Sequence, residues 1–420
     1  MRKILVTGGT GLVGSHLLYH LLQQENQITA LKRSSSKIEM VRKIFSYYTS
    51  DPESFFRRIT WIDCDLLDPE SVIESIRDSG CEEVFHCAAM VSFRASEHKK
   101  MIANNVTVTE NIVNACLELG IRKMCYVSST AALGSASEGE EVTEESIWKP
   151  SSARSAYAFS KFRSEMEVWR GIEEGLQAVI VNPSIILGPG FWNKGSSSIF
   201  SAVYKGMKFY TNGVTGYVDV RDVVQIMDLL MQSDIAGERF IVSSQNLSYR
   251  EIFTMIAREL GTEPPRYYAN PAMTYFAWIF SSAFSLITSR DPLLTKEMLS
   301  ASRSIVRFSN QKIKRKIGYQ FIPVQETVHF VARGFNNFVF QIVLAQEANG
   351  KIQVCIGFFE QGTVAERSFK KIDLRIEIFS EIDCPLKLFF VFSFEIDGID
   401  NFIEPYCRSG FFLYHKERNF

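Results

Sequence analysis

The sequence of 420 residues predicts an α/β fold in which a doubly wound parallel sheet carries a smaller second lobe. Two observations lead to this fold class. Apolar runs alternate with amphipathic stretches through the first 130 residues, and a glycine-rich loop directly follows the first apolar run. Buried strands separated by helices of this length imply right-handed βαβ units and a parallel sheet. Ligands of such sheets bind at the carboxyl ends of the strands.

Each predicted strand is a short apolar run, and each predicted helix repeats apolar residues three or four positions apart. The strands before residue 190 are Ile4–Thr7, Gln27–Leu31, Thr60–Asp63, Glu83–His86, Lys123–Ser128 and Gln177–Asn182. The helices between them include Ser15–Gln24, Pro69–Ser79 and Met101–Leu119. Further along, residues 217–231 predict a strand running into a helix, and residues 248–260 predict an amphipathic helix.

Composition excludes several classes of function. The formal net charge is −1, and no basic run interleaved with aromatic residues occurs, so we expect no nucleic-acid partner. Eight cysteines stand singly and six histidines lack metal-ligand spacing, so we expect reduced thiols and no metal site. The first apolar run is too short for a signal peptide, so we expect a cytoplasmic protein.

An uncharged stretch, residues 267–289, is long enough to cross a bilayer. It also contains Asn270, Pro271 and many serines and threonines, which argue against a span. We favour a buried or substrate-facing helix here. Peripheral contact with a membrane is the alternative, and a true span is the least favoured.

The glycine loop "TGGTGLVG", residues 7–14, follows a strand and opens a helix. Glycine there allows a tight turn and lets the backbone approach a pyrophosphate, which then faces the unpaired amides of the helix N-terminus. The glycines fit two spacings, one starting at Gly9 and the other at Gly8. The residues assigned to cofactor binding in this loop are Gly8, Thr10, Gly11, Leu12, Val13 and Gly14.

The end of the second strand selects the dinucleotide. NAD sites usually carry an acid there, whereas this chain has Lys32 and Arg33 followed by hydroxyl residues. A guanidinium pairs well with a 2′-phosphate, so we expect NADP, with NAD less favoured. Cofactor contacts are also expected at the ends of the third and fourth strands, from Asp65, Leu66, Ala88 and Ala89.

The stretch "YAFSK" places Tyr157 and Lys161 four residues apart, and therefore on one face of a helix. A free tyrosine has a pKa of about 10, too high for acid–base work near neutral pH. A neighbouring ammonium and a cationic nicotinamide would favour the phenolate. The preceding stretch "YVSSTAALG" offers hydroxyls that can orient a substrate oxygen, although Ser128 and Ser129 serve equally well as strand-end caps.

These motifs together resemble the extended short-chain dehydrogenase/reductase family, also described as the NAD-dependent epimerase/dehydratase family. The resemblance covers residues 1–330 and is carried, in order, by "TGGTGLVG", "DLLD", "HCAA", "NNVTVTENIV", "VSSTAALG", "YAFSK", "VNPSIILGPG" and "YVDVRDVV". It implies Gly8, Gly11 and Gly14 as the glycine set. Its implied catalytic residues are Thr130, Tyr157 and Lys161 with Asn105 in support, and it adds Pro183 to the cofactor site. Within the family, the chain looks most like the dihydroflavonol-reductase and hydroxysteroid-dehydrogenase branch.

The resemblance also divides the chain. Residues 1–190 are expected to form a Rossmann-type NADP-binding domain, to which the chain returns around 215–245. Residues 191–334 then form mostly the substrate-binding lobe. The Phe-rich tail, residues 335–420, departs from the family pattern and has no assigned role. Strand patterns at 351–359, 370–379 and 387–396 favour a small β appendage, and an extension that packs poorly is the alternative.

Three functions remain open from the sequence. The first is an NADP(H)-dependent alcohol/carbonyl oxidoreductase acting on a small or apolar substrate. The second is a sugar-nucleotide epimerase or dehydratase with tightly held NAD, against which the missing acid at positions 32–33 argues. The third is a non-catalytic NADP-binding regulator. The expected partner is a small-molecule substrate, and a homodimer stays open.

Overall fold

A computed structural model describes residues 1–92, 94–137, 139–149, 155–276, 278–279, 296–349, 404–408 and 411–415. The chain divides into two units, Met1–Phe335 and Asn336–Phe420. The predicted strands at 351–359, 370–379 and 387–396 lie outside the described residues.

The first unit is built on a seven-stranded sheet in which every neighbouring pair is parallel, with strand order β11-β7-β5-β4-β1-β2-β3. This doubly wound arrangement confirms the predicted fold class. The strands of this sheet are β1 (Lys3–Thr7), β2 (Gln27–Lys32), β3 (Ile59–Asp63), β4 (Glu83–His86), β5 (Lys123–Val127), β7 (Ala178–Pro183) and β11 (Glu238–Val242).

Helices cover both faces of the sheet. In β1, Ile4 and Val6 pack into one core while Leu5 packs into the other, so the strand is apolar without interruption. The helices up to the end of the sheet are α1 (Leu12–Leu22), α2 (Glu39–Phe45), α3 (Pro52–Phe56), α4 (Pro69–Ser79), α5 (His98–Glu118), α6 (Ala156–Glu173), α7 (Ser198–Tyr204) and α8 (Val220–Gln232). Residues of α1 and α8 share the core on one side of the sheet, and residues of α4, α5 and α6 share the core on the other.

Three smaller sheets among the described residues of this unit are formed by strands that come after β5 in the chain. The strands outside the main sheet in this unit are β6 (Glu141–Val142), β8 (Ile185–Leu187), β9 (Phe209–Tyr210), β10 (Val214–Asp219), β12 (Gln245–Ser248), β13 (Tyr267–Tyr268) and β14 (Arg307–Phe308). Strand β10 joins β8 and β12, β9 pairs with β13, and β6 pairs with β14. The remaining helices are α9 (Tyr249–Glu259), α10 (Lys296–Arg303), α11 (Gln311–Ile317) and α12 (Val324–Asn349).

The described part of the uncharged stretch at 267–289 is not a buried helix, and the expectation of a substrate-facing helix stays a prediction. It begins with β13 and continues into a helical segment at 271–276, where Met273, Tyr275 and Phe276 are 42%, 53% and 58% exposed. These three side chains are therefore exposed, whereas Thr274 between them is buried. No helix among the described residues is long and apolar enough to cross a membrane. Residues 280–289 lie outside the described ranges.

In the second unit, strands β15 (Glu404–Arg408) and β16 (Phe411–His415) form an antiparallel pair.

The six strands predicted before residue 190 agree with the structure to within one residue at each end. The strand predicted to start at residue 217 begins three residues earlier, at Val214, and the first helix also begins three residues earlier than expected, at Leu12. Glycines at 11 and 14 interrupt the apolar periodicity, so the pattern alone placed the start at Ser15. The sequence predicts that the chain returns to the Rossmann-type domain around 215–245. In the structure, strand β11 (Glu238–Val242) lies within this range.

A buried carboxylate, Asp228 on α8, ties together the first strand and the first helix. Its oxygens accept hydrogen bonds from Arg2 at 2.6 Å, His20 at 3.0 Å and Gln24 at 2.8 Å. Burial alone would raise the pKa of Asp228, but the hydrogen bonds from His20, Arg2 and Gln24 outweigh it and hold the pKa well below its ordinary value. Ionised Asp228 therefore stabilises the packing of α8 against α1.

We expect Asp228→Asn to lower the free energy of unfolding at pH 7 by about 2 kcal/mol, because a neutral amide replaces a buried carboxylate and a hydrogen bond to a charged group contributes about 1.5–3 kcal/mol. Arg2 keeps its ion pair with Glu83 in this variant. The native-state pKa is depressed, so the contribution of Asp228 is present above about pH 4 and is lost as pH falls further. Denaturant unfolding at pH 7 and at pH 3 measures both effects. The exposed Asp78→Asn is the control, and equal losses for both variants at pH 7 would contradict the assignment.

Candidate active site

The glycine loop brings three pieces of backbone into direct contact. Gly8 adopts φ +69°, and a Cβ built on it would lie 2.6 Å from the backbone nitrogen of Ala88. A Cβ on Gly14 would lie 2.2 Å from the carbonyl oxygen of Gly8, and one on Gly11 would lie 3.3 Å from the same oxygen. By contrast, a Cβ on Gly9 would meet first the end of the Leu18 side chain, at 3.0 Å. The space around the loop therefore excludes side chains most strictly at Gly8 and Gly14.

Helix α1 begins directly on this loop and points its N-terminus at the carboxyl edge of the sheet. Gly11 is the N-cap and provides no side chain to bind the first amides, and the first turn contains no acidic residue. Thr10, Leu12 and Val13 are partly exposed around these amides. The glycine loop leaves a space that side chains would fill, and this space lies beside a helix N-terminus that has no side-chain cap. This arrangement fits the pyrophosphate of a dinucleotide cofactor.

The end of β2 presents one exposed guanidinium. Lys32 donates to the Asp63 carboxylate at 2.6 Å, whereas the Arg33 side chain is exposed. The Arg33 backbone N–H donates to the Ser36 hydroxyl at 3.1 Å, which fixes the turn after the strand. Lys32 is thus engaged within the sheet edge, and Arg33 is the cation that faces outward at this corner.

At the end of β3, Asp65 is exposed and one of its carboxylate oxygens accepts the Leu67 backbone N–H at 3.1 Å. The Leu66 carbonyl accepts from Asn111 on α5 at 3.0 Å. Both predicted residues therefore lie at the carboxyl edge of the sheet, on the same edge as the glycine loop. Their contact with an adenine ring stays a prediction.

A chain of buried polar groups runs from the glycine loop to the helix α5. Thr7 Oγ1 lies 2.7 Å from His86 Nδ1 and accepts the Ala88 backbone N–H at 3.2 Å. His86 Nε2 lies 3.3 Å from the Thr109 hydroxyl, which donates to the Asn105 carbonyl at 2.8 Å. Burial, with the nearby Lys161 charge, lowers the pKa of His86 to about 3, so this histidine is neutral and structural.

Asn105 joins the loop after β4 to the helix α6. Its Oδ1 accepts the Met90 backbone N–H at 2.7 Å, and its Nδ2 donates to the Met90 carbonyl at 2.9 Å and to the Ser160 hydroxyl at 2.8 Å. Ala88 and Ala89 lie in the loop that Asn105 holds. The structure therefore gives Asn105 a role in positioning this loop beside α6.

Tyr157 lies in the first turn of α6, where the Ser155 hydroxyl caps the helix by accepting from the Ala158 N–H at 3.1 Å. The Tyr157 side chain hydrogen-bonds to the Ser129 side chain. Ser129 also accepts the Ala131 N–H at 3.1 Å and so caps the 3₁₀ turn Thr130–Ala132. Of the hydroxyls at the end of β5, the one bonded to Tyr157 in this structure belongs to Ser129, one residue before Thr130. The role of Thr130 stays a prediction.

Lys161 follows one turn later on α6 and is buried. Its ammonium donates to the Val127 carbonyl at 2.8 Å and lies 5.2 Å from the centre of the Tyr126 ring. Burial lowers the pKa of Lys161 to about 8, against the raising effects of Cys87 and Glu165. The ammonium and the uncharged amine are therefore both accessible near neutral pH.

The pKa of Tyr157 in this structure differs from the sequence expectation. Burial raises it above its ordinary value, although the hydrogen bond from Ser129 opposes this. Lys161, whose ammonium donates to the Val127 carbonyl, is not among the groups that shift the pKa of Tyr157 in the protein alone. Any lowering of the Tyr157 pKa has to come with the bound cofactor and substrate.

Sequence reasoning missed one buried charge at this site, Glu165, which lies one turn beyond Lys161. Its carboxylate accepts from Ser128 and Asn182, whose strands β5 and β7 end at the site. Pro183, the last residue of β7, is buried next to Asn182. The spacing Tyr157, Lys161, Glu165 was present in the sequence and could have indicated a third polar residue on that helical face.

The family model described as "NAD dependent epimerase/dehydratase family" matches residues 4–243, which is more than half of the chain. The matched range contains the glycine loop, the end of β5 and the whole of α6.

Curated relatives include a putative dihydroflavonol 4-reductase of Synechocystis sp., 27% identical over 79% of this chain and 94% of its own length. Cinnamoyl-CoA reductase 1 of Petunia hybrida is 25% identical over 78% of this chain and 90% of its own. Among solved structures, gox2253 superposes with a TM-score of 0.66 at 28% identity, covering 80% of this chain and 99% of its own. The UDP-glucose 4-epimerase of Thermus thermophilus, solved with NAD, has a TM-score of 0.60 at 22% identity over 80% and 99% of the two chains, which is a likeness of fold.

We expect Gly14→Ala to weaken dinucleotide binding at least tenfold, because the added methyl group would meet the Gly8 carbonyl. Overpacking of this kind also costs about 1–3 kcal/mol of stability. Calorimetric titration with NADPH and NADH, together with thermal unfolding, measures both effects. Gly9→Ala is the matched control within the loop, because its methyl group meets the flexible end of Leu18 at 3.0 Å and the Ala30 side chain at an ordinary contact distance of 3.5 Å, and no backbone atom is among its nearest neighbours. Equal losses of affinity in the two variants would contradict the assignment of the loop.

Proposed function

Because the chain belongs to the NAD dependent epimerase/dehydratase family, we propose that it is an NADP(H)-dependent oxidoreductase that interconverts an alcohol and a carbonyl compound. The observation that carries this proposal is the juxtaposition on α6 of Tyr157, hydrogen-bonded to Ser129, with Lys161 one turn away. Both side chains lie at the carboxyl edge of the sheet, the edge that also carries the glycine loop.

The proton chemistry falls to four side chains of this chain. In the reducing direction Tyr157 donates its phenolic proton to the substrate oxygen, and in the oxidising direction it accepts that proton. Ser129, and Thr130 beside it, orient the substrate oxygen toward the phenol. Lys161, as an ammonium, stabilises the negative charge left on the Tyr157 oxygen. When bound, the nicotinamide supplies or accepts the hydride.

The preference for NADP rests on the corner at the end of β2. Arg33 is an exposed guanidinium there, and the neighbouring carboxylate at the end of β3, Asp63, is already paired with Lys32. A guanidinium can bind a 2′-phosphate through two parallel hydrogen bonds. An acid that would bind the 2′-hydroxyl of NAD is absent from positions 32–37.

The substrate class is proposed from the curated relatives. Their names indicate reduction of a flavonoid carbonyl and of an aromatic acyl-CoA, and a more distant one, from Arabidopsis thaliana, is a 3beta-hydroxysteroid-dehydrogenase/decarboxylase. We propose a small or apolar ketone, aldehyde or alcohol. The identities of 24–27% to these relatives do not select one substrate among them.

We expect Tyr157→Phe to reduce turnover of any accepted carbonyl substrate by about 10²- to 10⁴-fold, the usual contribution of general acid–base catalysis. Binding of NADPH should stay within a fewfold of wild type, because the ring remains in place. Steady-state oxidation of NADPH with a panel of ketones and aldehydes provides the measurement. Undiminished turnover in this variant would refute the role of Tyr157. Net epimerisation of a nucleotide sugar by the wild type, without NADPH consumption, would instead favour an epimerase.

We expect Arg33→Ala to raise the KM for NADPH about tenfold or more and to leave the KM for NADH nearly unchanged. A hydrogen bond to a charged group contributes about 1.5–3 kcal/mol, and 1.4 kcal/mol corresponds to a factor of ten. Lys37→Ala, in the same exposed loop, is the control for a general loss of positive charge. A parallel rise in both KM values would rule out recognition of the 2′-phosphate by Arg33.

A further inference from the structure

Glu165 is a carboxylate with almost no exposure to solvent, buried directly behind the catalytic face of α6. One oxygen accepts the Ser128 hydroxyl at 2.5 Å and the Asn182 amide at 2.8 Å. The other accepts the Arg239 guanidinium at 3.0 Å and the Trp169 indole at 3.3 Å. Four donors thus satisfy a buried charge, which is the condition under which such a charge is tolerated.

These contacts join the catalytic helix to three strand ends. Ser128 follows β5 and precedes Ser129, the residue bonded to Tyr157. Asn182 is near the end of β7, and its amide also donates to the Ser129 carbonyl at 3.1 Å. Arg239 lies on β11, the outermost strand. The carboxylate of Glu165 therefore fixes the position of α6 relative to the turn that carries the catalytic hydroxyls.

We propose that Glu165 is a positioning residue that holds α6 against the end of β5 and keeps Lys161 in its ammonium form. The proposal rests on the oxidoreductase function proposed above, since it gives Lys161 a task that needs its charge. Glu165 itself touches neither substrate nor cofactor in this account and acts through Lys161 and Ser128.

The groups around Lys161 explain why the Glu165 carboxylate affects the charge of that lysine. The Tyr126 ring centre lies 5.2 Å from the ammonium, and Glu165 lies one helical turn further along α6. His86 and Cys87, at the end of β4, interact with the ammonium electrostatically. His86 is neutral, and burial raises the pKa of the Cys87 thiol to about 12, so that thiol is neutral too. Among these groups, Glu165 is the carboxylate, and it forms an ion pair with Arg239 at 3.0 Å.

Arg239 carries the charge opposite to that of a carboxylate, and it binds the Glu165 oxygen that Ser128 and Asn182 do not contact. Its guanidinium donates to the Glu165 carboxylate and also to the Glu144 carbonyl at 2.8 Å. Glu144 in turn accepts the Ile241 N–H at 2.8 Å through its own carboxylate. Loss of Glu165 and loss of Arg239 should consequently shift the titration of Lys161 in opposite directions, which a purely mechanical brace would not do.

The test compares Glu165→Gln, Arg239→Gln and Glu144→Gln with wild type. Carbonyl reduction needs the ammonium, so kcat/KM falls as pH rises through the pKa of Lys161. Removing the Glu165 charge should move this high-pH fall of kcat/KM, here called the alkaline limb, to lower pH by about one unit. A close opposite charge usually shifts a pKa by an amount of this size. Arg239→Gln should move the alkaline limb to higher pH by a smaller amount. Glu144→Gln, the same chemical change at a carboxylate outside the Lys161 environment, should leave the limb in place.

A second readout does not depend on turnover. The pH dependence of acylation of Lys161, followed by peptide mass spectrometry with trace acetic anhydride, reports the titration of that amine in the whole protein. It should shift in the same directions as the kinetic limb.

Each outcome decides something different. The inference is overturned if Glu165→Gln folds and neither the alkaline limb of kcat/KM nor the acylation profile of Lys161 moves. It is also overturned if Arg239→Gln moves the alkaline limb to lower pH. If Glu165→Gln does not fold, the direction of the Arg239→Gln shift decides. If wild type turns over no carbonyl compound, the oxidoreductase proposal fails, and the acylation profiles alone establish whether Glu165 controls the charge of Lys161.

Discussion

The structure depends on one close approach of backbones, between the glycine loop and the end of β4. Gly8 lies against Ala88 and Gly14 lies against the Gly8 carbonyl, with no room for a methyl group at either glycine. This contact lets α1 start within the carboxyl edge of the sheet rather than beside it. The first amides of α1 and the ends of β2, β3 and β4 consequently face one volume, and the same edge carries the end of β5 and the start of α6.

That geometry is transmitted to the catalytic helix by hydrogen bonds rather than by apolar packing alone. Thr7, His86 and Thr109 form a buried polar chain that ends at Asn105, whose amide binds Ser160 on α6. Because His86 stays neutral far below physiological pH, its donor and acceptor roles do not change over the working range. Directional contacts of this kind fix position more tightly than contacts among apolar side chains, which tolerate repacking.

Much of this could be predicted from the sequence because the signals are local. Buried parallel strands are continuous apolar runs, so the strand bounds predicted from the sequence nearly match those in the structure. The glycine loop is recognisable from the spacing of its glycines. The start of α1 was placed too late, because glycines hide helical periodicity. Which hydroxyl meets Tyr157 depends on how the chain turns after β5, and a 3₁₀ turn beginning at Thr130 directs Ser129 there. The partners of Glu165 come from three strands far apart in sequence, which no local pattern contains.

Helix α6 shows why acid–base chemistry and its support occupy a single element. Tyr157, Lys161, Glu165 and Trp169 recur every fourth residue, and four residues advance about 40° beyond one full turn. The stripe therefore rotates gradually from the substrate side to the outer side, where Trp169 lines a cleft of about 540 Å³ with Arg239.

Tyr157 lies in the first turn, where the helix dipole favours a developing phenolate. Burial lowers the pKa of Lys161, and the carboxylate one turn further along opposes part of that effect. The order phenol, ammonium, carboxylate along one helix thus places opposite charges next to each other at each step, with the tyrosine at the end where negative charge is best tolerated.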